Sequence, residues 1–315
     1  MRAVAVKAFR GAPEEMDLPK PVPGDGEILV HLSAAGVNPF DWKISDGLYE
    51  GKRPHVFPLI LGVDGAGVVE ARGPGATRFS VGDGVYGQFL HSPVGTGTYA
   101  EYVAAPEKIG IGLIPRGIYT AQAAAVPTAG MAALNALDSL ALERGQSLLL
   151  IGAAGGVGSF VTQLASTRGI QLIAVTRGEH RDYLHKLGAT RVLDSTGYDF
   201  FDRVKLAYSS GVDALLDLAQ PRAAFEKNLV AVREGGTVAS TVGAADVPAL
   251  EKRAFRAINV DSQPSPELME MLSSEISSGR LRVPVDTQLK LSDGPSAIAK
   301  SREGTSRGKT ILNIY

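Results

Sequence analysis

The chain has 315 residues, 44% of them hydrophobic, and a mean hydropathy near zero, which predicts a soluble globular protein of about two domains. A net charge of −1 and an isoelectric point near 6.5 leave no electrostatic footprint for nucleic acid or an anionic membrane. Cysteine is absent, which excludes disulfides, thiolate catalysis and every cysteine-ligated zinc site, and a cytoplasmic location is the expectation.

The opening MRAVAVKAFRGAPEE has no long apolar region, so neither a signal peptide nor an anchor is expected, and no run approaches a membrane-spanning length. Residues 2–9 and 27–32 alternate as half-buried strands, separated by a loop carrying Pro19, Pro21, Pro23 and Gly24. Short strands at 62–69, 83–87 and 99–103 continue between Gly/Pro turns, predicting a compact, largely antiparallel β domain. The long polar and aromatic gap at 38–58 predicts a functional loop with some helix.

Residues 120–137 are alanine-rich and read as helical, interrupted at Pro127-Thr128-Ala129-Gly130. Leu148-Leu149-Leu150-Ile151 then suits a strand buried on both faces. Small residues follow it, Gly152-Ala153-Ala154-Gly155-Gly156-Val157-Gly158, and Val157, Phe160, Val161, Leu164 and Ala165 recur at helical spacing. Gly169 is placed to end that helix, and 171–176 is a second strand.

Strand, glycine turn, helix and strand within about 30 residues make a dinucleotide-binding unit. A pyrophosphate reaches the N–H groups of a helix N-terminus only where no side chain intervenes. Gly155 and Gly158 hold the second and third fingerprint positions, and Ala153 replaces the first glycine. At the end of the second strand stand Thr176-Arg177-Gly178 in place of an Asp or Glu. No carboxylate there repels a 2′-phosphate, and a guanidinium can pair with it, which points to NADPH.

Further α/β units follow: helix 180–187 and strand 191–193, helix 200–207 and strand 212–218, helix 221–232 and strand 236–242, with one more strand at 258–260. They suit a doubly wound parallel sheet. Residues 267–278 form an amphipathic helix with Leu268, Met271, Leu272 and Ile276 on one side, and 310–314 is a last short strand.

Seven segments carry a family resemblance: GVNPFDW (36–42), DGLY (46–49), LGVDGAGVV (61–69), VGDGVYG (81–87), AAVPTAGMAAL (124–134), AAGGVG (153–158) and GKTIL (308–312). Together they resemble the zinc-independent, zeta-crystallin-like quinone oxidoreductase branch of the medium-chain dehydrogenase/reductases. The resemblance implies an α/β fold with two domains. A GroES-like, largely antiparallel catalytic domain spans 1–119, completed by 262–315, and a Rossmann NADP(H)-binding domain spans 120–261. Where zinc-dependent relatives resemble GHEGAG, this chain reads Gly62-Val63-Asp64-Gly65-Ala66-Gly67, so a valine replaces the histidine ligand. Asn38-Pro39-Phe40-Asp41 stands where they carry a ligating cysteine, and the histidines show no paired metal spacing, so no catalytic metal is expected.

The same resemblance implies the site. Tyr49 borders the nicotinamide and substrate, as a hydrogen-bond donor or as a rim aromatic. Asn38 orients cofactor or substrate, or caps a turn. Asp41 holds the loop, Trp42 packs or walls the pocket, and His55 could approach the cleft. Thr128 lies against the nicotinamide or a phosphate, and Ala154, Gly155, Gly156 and Val157 surround the pyrophosphate. Arg177, after Thr176, takes the 2′-phosphate, Ser195 lies near the adenosine ribose, and Thr241, Val242 and Gly243 line the nicotinamide half. Lys309 and Asn313 reach the cofactor from the C-terminal return, or Lys309 lies on the surface. The expected activity is NADPH-dependent reduction of a quinone or α,β-unsaturated carbonyl, where hydride meets an already electron-poor carbon. A dedicated enoyl or enone reductase and a low-activity, crystallin-like NADPH-binding protein are the alternatives. The expected partners are a small-molecule substrate and a second copy in a homodimer, with neither nucleic acid nor membrane.

Overall fold

The computed structural model describes residues 1–178, 180–195, 200–304 and 307–315. The chain divides into two compact units, Met1–Met131 with Pro264–Tyr315, and Ala132–Gln263. Among the described residues, no helix is long and apolar enough to cross a membrane.

The first unit runs through β1 (Arg2–Val6), β2 (Glu14–Asp17), β3 (Glu27–Gly36), α1 (Pro39–Ser45), β4 (Leu59–Ile60), β5 (Asp64–Arg72), β6 (Gly84–Gln88), β7 (Tyr102–Pro106), β8 (Ile111–Leu113), α2 (Thr120–Ala123) and the start of α3 (Pro127–Leu140). The second holds β9 (Ser147–Ile151), α4 (Gly156–Thr167), β10 (Gln171–Thr176), α5 (Arg181–Lys186), β11 (Arg191–Asp194), α6 (Phe200–Ala207), β12 (Val212–Asp217), α7 (Arg222–Asn228), β13 (Val232–Ser240), α8 (Val247–Glu251) and β14 (Arg256–Asn259). The chain then returns to the first unit as α9 (Pro266–Ser277), β15 (Val285–Lys290), α10 (Gly294–Glu303) and β16 (Lys309–Asn313).

In the first unit β2, β1 and β4 form a small sheet, while β15-β16-β3-β5-β6-β8, with β7 on β3, form a larger one. Its pairs are antiparallel except β15 with β16. The long strand β3 organises it. Its first half pairs β7 and its last three residues pair β16, with β5 along the other side. Apolar side chains from these strands, among them Ile28, Val30, Leu32 and Leu312, meet in one core.

The second unit is a parallel sheet of order β11-β10-β9-β12-β13-β14, the doubly wound Rossmann arrangement. All five residues of β9 are buried, as a central strand covered on both faces requires. The order reverses between β9 and β12, and ligands of such sheets bind outside the carboxyl ends at that point.

Three expectations change. The helical stretch is broken at 124–126 and not at Pro127, which opens α3, because a first-turn position needs no N–H from proline. Met271 of α9 is exposed, and the buried ridge is Met269, Leu272 and Ile276, spaced by three and four. The division of the chain falls inside α3 and not at 119/120, since α2 packs on β3, β5 and β6.

The β9 packing is testable. Leu149→Ala removes a fully buried side chain and should cost about 2–5 kcal/mol, measured by urea unfolding. A loss under about 1 kcal/mol would mean that the sheet is not packed on both faces here.

Candidate active site

In the second unit, the candidate groups stand at the carboxyl ends of four adjacent parallel strands, β10, β9, β12 and β13. After β9, Gly152 takes a left-handed conformation (φ +81°), and the N–H of Gly155 closes the turn on the Gly152 carbonyl at 3.2 Å. Gly155 is the N-cap of α4, with no side-chain cap and no acidic residue in the first turn. The first N–H groups of α4 therefore keep their donors and the positive end of the helix dipole. A Cβ on Gly158 would lie 2.4 Å from the Gly152 carbonyl oxygen and 2.6 Å from that of Ala153, so only glycine lets the helix sit this close. A Cβ on Gly155 would meet only the Gly152 oxygen at 3.5 Å, which leaves room beside the turn. Ala154, Gly155, Gly156 and Val157 thus form a cradle suited to a pyrophosphate.

At the end of β10, Thr176 is buried and Arg177 is exposed, with no ion pair to a described residue. Ser195 gives both its N–H (2.9 Å) and its hydroxyl (3.3 Å) to the Thr176 carbonyl. Its hydroxyl hydrogen thus serves the join between β10 and β11. At the end of β13, the buried Ser240 hydroxyl accepts from the N–H groups of Val242 (3.2 Å) and Ala244 (3.1 Å). This shapes the turn at Thr241, Val242 and Gly243, and Thr241 donates its own N–H to the Asp217 carbonyl. Asp217, not foreseen, is buried at the carboxyl end of β12 and accepts from the N–H groups of Ala219 and Gln220; burial raises its pKa.

The first unit gathers a second set of groups around a buried carboxylate. Asp64 opens β5 and is fully buried. It accepts from the N–H of Thr128 on both oxygens (3.1 Å each), from the Thr128 hydroxyl (2.6 Å) and from the Asn38 amide nitrogen (2.9 Å). The Lys309 ammonium, only 3% exposed, lies 3.9 Å from it and donates to the carbonyl of Val37 (3.0 Å) and the amide oxygen of Asn38 (2.5 Å). Gln88 donates its amide to the Thr128 hydroxyl oxygen at 2.7 Å. Burial raises the Asp64 pKa and lowers that of Lys309, and their mutual attraction opposes both shifts.

Asp41 forms a second buried carboxylate beside this set. It accepts from the N–H of Asn38 (2.7 Å), the N–H of Val63 (3.1 Å) and the Tyr99 hydroxyl (2.8 Å). Burial, with a smaller push from the Asp64 charge, raises its pKa to about 7, against the Asn38 N–H, the Tyr99 hydroxyl and the charge of Lys309. It holds the loop after β3 to the start of β5.

The structure thus brings Asn38, Thr128 and Lys309 together. Lys309 is not a surface lysine. Asn38 turns its side chain to Asp64 and Lys309, with its amide nitrogen also 3.4 Å from the Gly36 carbonyl. Tyr49 is half-buried, its ring edge-on to Phe40 and covered by the Arg53 guanidinium at 4.5 Å. Trp42 is half-buried against Arg302 and Lys43, and His55 packs edge-on to Phe9. Asn313 is separate: it lies at the other end of β16 from Lys309, and its amide donates to the side-chain oxygen of Gln288 on β15. Besides Asp217, sequence reasoning missed Asp64 and Gln88. The signal was a carboxylate inside the otherwise apolar LGVDGAGVV segment, where burial demands partners.

A GroES-like β unit and a Rossmann unit with a glycine cradle define the medium-chain dehydrogenase/reductase class. Residues 24–116 match the family model described as alcohol dehydrogenase GroES-like domain, and 156–260 match the one described as zinc-binding dehydrogenase. The chain is 30% identical to the chloroplast envelope quinone oxidoreductase homolog of Arabidopsis thaliana, over 99% of this chain and 98% of that protein. It is also 30% identical to the 2-methylene-furan-3-one reductase of Solanum lycopersicum, over 92% of this chain and 72% of the relative. Among solved structures, a mycobacterial protein in complex with NADPH aligns with a TM-score of 0.86 and 28% identity, covering 100% of both chains. The chain belongs to the zinc-independent quinone oxidoreductase branch of that class.

Two outcomes follow from the buried charges. Lys309→Met leaves the Asp64 carboxylate without its cation and should cost about 3–5 kcal/mol in urea unfolding, part of it regained by adding Asp64→Asn. The Asp41 pKa lies above its ordinary 3.8, so the folded chain keeps a proton that the unfolded chain has released. Its contribution to stability is then full below about pH 4 and is lost as pH rises through about 7. Asp41→Asn should flatten the stability–pH curve across that window, and a slope equal to that of the unaltered chain would show an ionised Asp41 throughout.

Proposed function

We propose that this chain is an NADPH-dependent reductase that transfers hydride to a quinone or an α,β-unsaturated carbonyl without a metal. The observation that carries the reading is the Lys309 ammonium within the Asn38–Asp64 cluster, beside Val63 in the place of a histidine ligand. A dication there would meet a resident positive charge in a poorly solvated setting. Among the described residues no group of three or more His, Cys, Asp or Glu is placed to hold a metal. The activities named for the Arabidopsis and tomato relatives support the acceptor class, and the mycobacterial neighbour supports the cofactor.

The residues present fit the cofactor. The uncapped first turn of α4 would receive the pyrophosphate, with Ala154, Gly155, Gly156 and Val157 around it. Arg177 would pair the 2′-phosphate, next to Thr176 and Ser195, and Thr241, Val242 and Gly243 would line the nicotinamide half. When bound, the reduced nicotinamide supplies hydride. In the first unit, Tyr49 is the candidate for a hydrogen bond to the acceptor's carbonyl oxygen, where negative charge develops. Asn38 orients the site through its bonds to Asp64 and Lys309. Asn313 is the weakest member of the set, because its amide is engaged by Gln288. Cytoplasmic residence and a homodimer joined at the free edge of β14 belong to the same reading.

The deciding experiment is NADPH oxidation, with NADH in parallel, against ortho- and para-quinones, enones, enals and an enoyl thioester. Turnover with quinones or enones that survives a chelator supports the reading, while chelator-sensitive turnover overturns its metal-free part. Arg177→Ala should raise the KM for NADPH about 10- to 100-fold and leave that for NADH nearly unchanged. Equal effects on both would remove Arg177 from the 2′-phosphate. Tyr49→Phe should lower kcat, and an unchanged rate across the panel would make Tyr49 a wall residue.

A further inference from the structure

The open edge of the second unit's sheet carries a cleft that the cofactor reading leaves unused. β11 is the outermost strand, and α6 covers part of the face that it shares with β10. On that face Ile173 of β10 stands opposite Arg191 of β11, with Leu193 two residues further on. Val204 and Ala207, three residues apart on α6, lie over this floor. Val204 is buried in one core with Ile173 and Leu193, but Ala207 ends at a methyl group, and a cleft of about 340 Å³ remains. That volume lies within the range of roughly 300–1,000 Å³ usual for small-molecule sites. Leu206, 89% exposed, stands at its lip with the exposed Arg191 and Arg203. Around the edge of β11 a second cleft, of about 330 Å³, shares Arg191, Leu193 and Arg203 and adds Arg181 and His185. Among the described residues no Asp or Glu lines either cleft, and Arg191 has no ion-pair partner. An apolar space and a cationic one thus meet at Arg191.

We infer that the joined clefts form a second ligand site, which takes a small amphiphilic anion: an aliphatic chain under α6 and a carboxylate on Arg191. A guanidinium offers two parallel N–H donors that match the two oxygens of a carboxylate. Each CH2 of the chain gains by leaving water for Ile173, Leu193 and Val204. At roughly 30 Å³ for a water-sized group, the cleft accommodates on the order of ten heavy atoms, the size of a medium-chain carboxylate. The site is separate from the cofactor cradle. Arg191 opens β11 three residues before its carboxyl end at Asp194, roughly 10 Å along the strand, whereas the cradle lies beyond the carboxyl ends. The site needs neither the cofactor nor the first unit.

The probe is octanoate, with octanol as the control for the chain and acetate as the control for the head. Dissociation constants are read by isothermal titration calorimetry on the full chain. Octanoate should bind about 10-fold more tightly than octanol, the range of one charge-assisted contact, and acetate should not bind at the same concentrations. Arg191→Gln should weaken octanoate about 10-fold and leave octanol nearly unchanged, so that the preference disappears. Leu206→Ser should weaken octanoate and octanol alike, by about 3-fold. Both side chains are exposed, so both variants should keep the fold, which circular dichroism checks. Failure of octanoate to bind, equal affinities for octanoate and octanol, or acetate binding as tightly as octanoate would each overturn the inference. So would octanoate binding that either variant leaves intact. Competition between octanoate and NADPH would overturn it as well, by putting the anion in the cofactor cradle.

Discussion

The first unit depends on a carboxylate that could not be buried alone. Asp64 lies at the start of β5, inside the sheet, where an isolated charge would be strongly disfavoured. It is kept there by groups from four separate places: Asn38 after β3, Thr128 at the start of α3, Lys309 on β16 and, through Thr128, Gln88 at the end of β6. Three of these four places, all but Thr128, lie on or next to strands that the sheet pairing has already brought close. β3 and β6 flank β5, and β16 pairs the last residues of β3. The sheet positions the network, and the network in turn fixes the ends of the strands where the candidate ligand contacts lie.

A buried lysine among carboxylates and amides gives this site a character distinct from a metal centre. A metal holds its ligands by coordination and can polarise a carbonyl directly. Here a single ammonium donates to the Asn38 amide oxygen and orients that side chain. Such an arrangement suits an acceptor that is electrophilic without help.

Much of the second unit was legible in the sequence. The buried run at β9, the glycines after it and the greasy stripe of α4 obey local rules, since strand, turn and helix periodicities are read over a few residues. The position of Arg177 just after β10 was legible for the same reason. The first unit was legible as a fold class but not as a site. Asp64 stood in plain view within LGVDGAGVV, yet its partners are set by strand pairing across long stretches of chain, and no local pattern announces them. Lys309 read equally well as a surface residue until β16 placed it against Val37 and Asn38. The fate of Met271 has a similar origin, since two neighbouring helical stripes both looked apolar and only packing chose between them.

The return of the chain to its first unit has a consequence for how the protein comes to be folded. Asn38 and its ammonium partner are 271 residues apart, with the whole Rossmann unit lying between them in sequence. A ribosome delivers β3 before the Rossmann unit and β16 after it. Until β16 arrives, the last residues of β3 have an unpaired edge, and Asp64 lacks its countercharge. The Rossmann unit is continuous and can close as soon as it emerges, while the β unit waits for its final strand. The β unit is therefore begun before the Rossmann unit and completed after it, and in the interval the chain carries an open sheet edge of the kind that chaperones cover.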